Sequence, residues 1–159
     1  MSYCYLTLKQ VNRIAITAAF FAALLSSFSV FAQEIAGTWI QIDDKTGSPK
    51  ALIEIQKQTN GSYSGKIIKV TPRPGYTPRE TCFRCPPPYT DQPILGLEVF
   101  KGLQYVNGNN YANGRVLDPL TGKIYGLKGR ISPNGKRFIL RGYVGISALG
   151  RTQTWIKSD

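Results

Sequence analysis

Apolar positions in this chain come in short runs cut by Gly, Pro, Asn and Asp. From residue 37 onward none sustains the three-and-four spacing of an amphipathic helix. The runs at 38–42, 51–56, 63–70, 94–104, 111–117, 123–131, 136–144 and 151–157 are rich in Ile, Leu, Val, Tyr, Phe and Thr and read as strands. Turn chemistry separates them. Asn60-Gly61 is the strongest hairpin signal, joined by a polar loop at 43–49, Asn107-Gly108-Asn109-Asn110, Asp118-Pro119-Leu120-Thr121-Gly122 and Ser132-Pro133-Asn134-Gly135. Gly96 and Gly102 mark candidate bulges in the fourth strand. Eight sequential strands joined mostly by hairpins predict an all-β, eight-stranded antiparallel up-and-down barrel, because closure removes the exposed edges.

Two stretches break the pattern. Lys9 and Arg13 precede an apolar run at 14–30, and Val30-Phe31-Ala32 places small residues where a signal peptidase cuts. Residues 1–32 therefore read as a signal peptide, and residues 33–159 as a barrel domain exported to the periplasm. Cys4 lies before the apolar run, so it is not a lipoprotein acceptor and leaves with the leader. In the second stretch, 71–93, seven prolines crowd together with Arg73, Arg79, Arg84, Cys82 and Cys85. Proline at that density excludes a central strand, and the segment reads as an ordered flap over one end of the barrel.

Charge narrows the partners. The chain holds 20 Lys and Arg against 9 Asp and Glu, a formal +11 that falls by two when Lys9 and Arg13 leave with the leader. A balance of this sign suits a solvated basic surface or an anionic lipid surface of the envelope; no nucleic-acid-binding motif is present.

Candidate chemistry is sparse. The chain has no histidine, which removes the commonest general base and the commonest metal ligand. Cys82 and Cys85 form Cys-x-x-Cys, which in an exported protein reads first as a disulfide. A redox pair lacks the helix N-terminus that would activate it, and a metal site lacks a second ligand pair. No cofactor motif and no catalytic nucleophile with its base can be found. Glu54 and Glu98 sit inside strands and could form a carboxylate pair, or simply neutralise Arg115, Arg130 or Arg141. The interior offers a ligand pocket, with Tyr63, Phe100, Tyr125 and Tyr143 as walls and Arg130 and Arg141 as anion partners.

Gly37-x-Trp39, the Cys82-x-x-Cys85 loop, Pro93-Ile-Leu-Gly-Leu97, Asp118-Pro-x-x-Gly122 and Arg141-Gly-Tyr-Val-Gly145 … Leu149-Gly-Arg-Thr-Gln-Thr-Trp155 resemble a family of secreted bacterial proteins known as domain of unknown function 2147. The resemblance spans nearly all of 33–159 and implies a lipocalin-like fold with no established activity. In lipocalins an arginine near the end of the last strand packs across the tryptophan of Gly-x-Trp, so the resemblance implies Arg151 over Trp39 as a structural signature. The function it leaves open is binding of a small hydrophobic or amphipathic, anionic ligand. The alternatives are a filled barrel that interacts through its basic surface and the 71–93 flap, and an enzyme that uses carboxylates.

Overall fold

A computed structural model describes residues 34–158 except Arg73 and Tyr76; the signal peptide expected at 1–32 lies outside the described residues. Eight strands follow one another: β1 (Gly37–Ile42), β2 (Pro49–Lys57), β3 (Tyr63–Val70), β4 (Glu98–Asn107), β5 (Asn110–Asp118), β6 (Lys123–Ile131), β7 (Arg137–Tyr143) and β8 (Gly150–Lys157). Each pairs antiparallel with its neighbour, and β8 returns to β1, so the sheet closes into an up-and-down barrel with no free edge. No helix among the described residues is long and apolar enough to cross a membrane.

The fourth strand starts later than the apolar pattern suggests. Ile94 donates to the Glu80 carbonyl and Gly96 to the Ile67 carbonyl, and Leu97 turns back onto Ile94, so 94–97 is a turn leading into β4. Gly96 serves that turn, whereas Gly102 sits where the β3–β4 register slips. A second slip falls at Asn113 of β5, whose φ is also positive. These two bulges reset the in-out alternation of β4 and β5.

The barrel has two unlike ends. At one, the β2–β3, β4–β5 and β6–β7 turns meet residues 34–36 and the end of β8. Trp39, Tyr63, Tyr111 and Phe138 fill that end, with Tyr63 edge-on to Tyr111 at 5.5 Å between ring centres and Tyr111 edge-on to Phe138 at 5.9 Å. Ile35 is buried beneath them, and its carbonyl accepts a 2.8 Å hydrogen bond from Trp39 Nε1. At the other end lie the β1–β2, β3–β4, β5–β6 and β7–β8 connections.

The cation over Trp39 is Lys157, not Arg151. β8 runs antiparallel to β1 and pairs Lys157 with Trp39, placing Nζ 5.3 Å from the indole centroid and 3.3 Å from the Ala36 carbonyl. Arg151 is the second residue of β8, opposite Gly142, and so lies at the far end of the barrel. There its guanidinium donates to Asp44 Oδ2 from Nε at 2.9 Å and from Nη2 at 2.6 Å. Lys157→Ala uncovers the indole and is expected to lower unfolding free energy by about 1 kcal/mol. Arg151→Ala, which removes one exposed ion pair, is expected to change it by less than about 1 kcal/mol. Paired urea titrations measure the difference, and the reverse ranking would return the signature role to Arg151.

Candidate functional site

A cavity of about 370 Å³ occupies the end of the barrel opposite the aromatic plug. Ala51 and Ile53 of β2, Ile67 of β3, Leu127 of β6, Leu140 of β7 and Trp155 of β8 form its apolar wall. It exists because the inward positions on this side are short. Ala51 and Gly142 stand where bulkier residues would fill the barrel. The floor rests on Phe100, whose ring lies 6.2 Å from Trp155 between centres. That ring also covers Gly65, where any Cβ would overlap it, so the glycine makes room for the aromatic.

Polar groups enter the cavity at one place. Gln41 Nε2 donates to Gln153 Oε1 at 3.1 Å, and Trp155 Nε1 reaches the same oxygen at 3.4 Å. Gln41 Oε1 and Gln153 Nε2 are left without a partner among the described residues, one acceptor and one donor on the cavity wall. At the rim stand Lys50, Arg79 and Arg151, with Asp118 as the carboxylate among them. Asp118 is occupied by its own turn, accepting from the Leu120 amide and the Thr121 hydroxyl.

The described residues of the 71–93 segment split their duties. Pro78 and Arg79 border the mouth, together with Ile94 just beyond. The Cys82–Cys85 disulfide closes a tight loop whose cysteines are both buried. Residues 86–89 then run down the outside of the wall, with Pro87, Pro88 and Tyr89 facing Lys101 of β4 and Arg115 and Leu117 of β5. Gly122 anchors this arrangement. Its φ is +72°, and a Cβ there would collide with the Arg84 carbonyl, so only glycine lets the β5–β6 turn meet the disulfide loop.

The residues singled out in the sequence do not share one place. Tyr125 borders the cavity, whereas Tyr143 meets it only at the rim, because alternation with Leu140 turns its ring to the outer face over Gly126 opposite it. Phe100 lies beneath the cavity, and Tyr63 belongs to the plug at the opposite end. Arg130 and Arg141 do not line the cavity. Leu127, Ile131, Phe138 and Leu140 are buried, and alternation with them turns both arginines to the outer face. Arg141 instead donates to the Ser147 carbonyl at 2.6 Å, the Ala148 carbonyl at 2.8 Å and Thr152 Oγ1 at 2.9 Å, binding the β7–β8 loop. Glu54 lies outside between inward Ile53 and Ile55 and accepts from Gln56. Glu98 pairs in register with Lys66. The glutamines were missed, although each stands two residues from an inward tryptophan, Gln41 from Trp39 and Gln153 from Trp155. Among the described residues no group of three or more His, Cys, Asp or Glu is placed to hold a metal.

Titration is perturbed at the plug. Burial pushes the Tyr63 hydroxyl well above the usual tyrosine value, helped by its hydrogen bond to the Glu34 carboxylate and by that charge. Burial also raises Tyr111, with the neighbouring Tyr63 and Glu34 adding to it. Burial opposes the Glu34 charge too, but hydrogen bonds from Tyr63 and Lys57 and the Lys57 charge together hold it below the ordinary carboxylate value.

Comparison with known proteins agrees with this geometry. A family described as "Uncharacterized protein conserved in bacteria (DUF2147)" matches residues 37–157. No curated protein matches the chain. Among solved structures the chain is similar to protein HP1028 from Helicobacter pylori, described as belonging to the lipocalin family. The two are 19% identical with a TM-score of 0.66, over 79% of this chain and 84% of the other. At that identity the likeness speaks for the lipocalin-like fold.

The raised tyrosines give the plug a pH signature. A group whose pKa is higher in the folded state contributes stability that is complete below its unfolded value, here 10.0, and is lost as pH rises beyond it. Denaturation midpoints are therefore expected to fall steeply above pH 10. Tyr111→Phe should make that fall shallower whatever it does to stability near neutrality; a slope unchanged by the substitution would contradict the assignment.

Proposed function

The chain belongs to the bacterial family DUF2147, and on that premise we propose that its barrel binds a small amphipathic, anionic ligand in the periplasm. The observation that carries this reading is the division of the interior. One half is packed solid by aromatic rings, while the other holds about 370 Å³ of largely apolar space open at the loop end. Sites for small organic ligands fall in this range and pair an apolar wall with a few placed polar groups. Gln41 and Gln153 supply those groups inside, and Lys50, Arg79 and Arg151 supply positive charge at the mouth. The apolar part of a ligand lies against Ala51, Ile53, Leu140 and Trp155, with its anionic head toward the rim. Arg151 already shares its charge with Asp44, so Lys50 and Arg79 are the freer partners for that head.

Export to the periplasm is supported by the leader pattern at 1–32 and by the Cys82–Cys85 disulfide, which suits an oxidising compartment. The open half of the barrel weighs against a filled barrel that acts through its surface alone.

Native mass spectrometry of protein taken from its own periplasm, followed by organic extraction, tests the reading directly. A reproducible extra mass that disappears on extraction is the expected result. Ala51→Phe fills the cavity and is expected to weaken binding of a fluorescent fatty-acid probe at least tenfold, since one displaced methylene-scale contact set costs about 1–3 kcal/mol. Near-UV circular dichroism checks that the variant remains folded. A clean apo mass together with probe binding that survives Ala51→Phe would sink the proposal.

A further inference from the structure

The outer wall of β6 and β7 carries charge that the fold does not use. Between Asn110 and Tyr143 the sole carboxylate is Asp118, which closes its own turn. The outward positions on that wall include Lys128, Arg130, Arg137 and Arg141, with Ile139 opposite Arg130 among them. Lys128 and Arg141 stand directly opposite each other in register, a like-charge pairing that costs a sheet stability. Lys128, Arg130 and Arg137 make no ion pair among the described residues.

This basic wall leads into an apolar tip. The β7–β8 loop exposes Val144 at 61%, Ile146 at 65% and Leu149 at 68% of their surface. Leu120, 37% exposed on the neighbouring β5–β6 turn, adjoins them at the cavity rim. A short loop with three large aliphatic residues would gain by folding them inward. Arg141 opposes this, since its three hydrogen bonds to Ser147, Ala148 and Thr152 tie the loop backbone to the wall. The loop closes on itself as well, through hydrogen bonds between Val144 and Leu149 and between Leu149 and Ile146. One guanidinium thus belongs to the basic wall and also shapes the apolar tip.

We propose that this face docks on an anionic lipid bilayer, with the 144–149 tip entering the interface and Lys128, Arg130 and Arg137 resting on acidic head groups. Exposed aliphatic side chains beside unpaired cations have the chemistry of an interfacial anchor, in which apolar insertion and attraction to anionic lipid act together. A soluble polyanion would use the cations and leave the tip unexplained. An apolar protein surface would use the tip and leave the cations unexplained. Because Val144 and Leu149 also border the mouth, docking along this wall brings the mouth's rim beside the lipid. The proposal does not depend on what the cavity holds.

Vesicle co-sedimentation of the purified protein tests it, with phosphatidylcholine alone and with phosphatidylcholine mixed with phosphatidylglycerol. Binding to the anionic vesicles, weakened by added salt and slight on phosphatidylcholine alone, is expected. Ile146→Asp, which alters the tip outside the cavity lining, is expected to weaken binding at least about tenfold. Lys128→Glu with Arg130→Glu is expected to weaken it by a similar factor and to flatten its salt dependence. Unchanged near-UV circular dichroism shows that both variants keep the barrel. Absence of anionic-vesicle binding, or binding that either variant leaves intact, overturns the proposal. Retention on a dextran sulfate resin without vesicle binding would assign the wall to a soluble polyanion and overturn it equally.

Discussion

Closure of β8 onto β1 is the constraint on which the rest of this structure depends. The seam is short, pairing Trp39, Ile40 and Gln41 with Lys157, Ile156 and Trp155. Hydrogen bonds over so few residues leave much of the work to side chains. The two tryptophans sit on the inward face of the seam, both almost wholly buried, and each meets an aromatic ring from elsewhere in the barrel. Trp39 lies against Phe138 at 5.6 Å between centres and Trp155 against Phe100. Outside Trp39, Lys157 covers the indole face and ties back to the Ala36 carbonyl. The closure that removes the sheet's edges therefore also builds both the plug and the cavity floor.

From that seam the interior divides by side-chain size. Going toward the plug, the inward residues are Trp39, Tyr63, Tyr111 and Phe138, and the space is filled. Going toward the mouth, they are Gln41, Ala51, Gly142 and Gln153, and it is not. An interior packed to ordinary protein density tolerates few voids larger than a water molecule, so an opening of this size needs small residues on several strands at once. The same strands that make the barrel rigid thus leave one half available to a guest. Beside the mouth, the Cys82–Cys85 disulfide and Gly122 pressed on the Arg84 carbonyl fix the chain around residues 82–85.

Much of this architecture was legible because each turn announces itself in residue chemistry. Asn60-Gly61, Asp118-Pro119 and Ser132-Pro133-Asn134-Gly135 mark hairpins whose strands the structure confirms. The boundary of β4 was less legible, since the 94–97 turn is built from Ile, Leu, Gly and Leu and is set by hydrogen bonds to distant Glu80 and Ile67. The site was harder still. A strand's two faces differ only in parity; Gly102 announces its bulge as a glycine inside a strand, but the bulge at Asn113 shifts that parity without leaving a mark in the hydrophobic pattern. For Arg130 and Arg141 no bulge intervenes. Strict alternation with Leu127, Ile131, Phe138 and Leu140 places both outside, so neither can serve as an internal anion partner. The lipocalin resemblance implies Arg151 over Trp39, but pairing in β8 puts Lys157 at the tryptophan instead.

One arrangement has a practical side. Both described chain ends, Glu34 and Ser158, lie at the plugged end, Glu34 bound to Lys57 and Ser158 donating to the Thr38 carbonyl. The mouth is a barrel's length away. A tag, a fluorophore or a surface linkage attached at either of these positions points away from the opening, so the molecule can be immobilised without blocking access to its interior. The same polarity suits it to display: joined end-on to another protein, the barrel would present its open half outward like a cup on a stem.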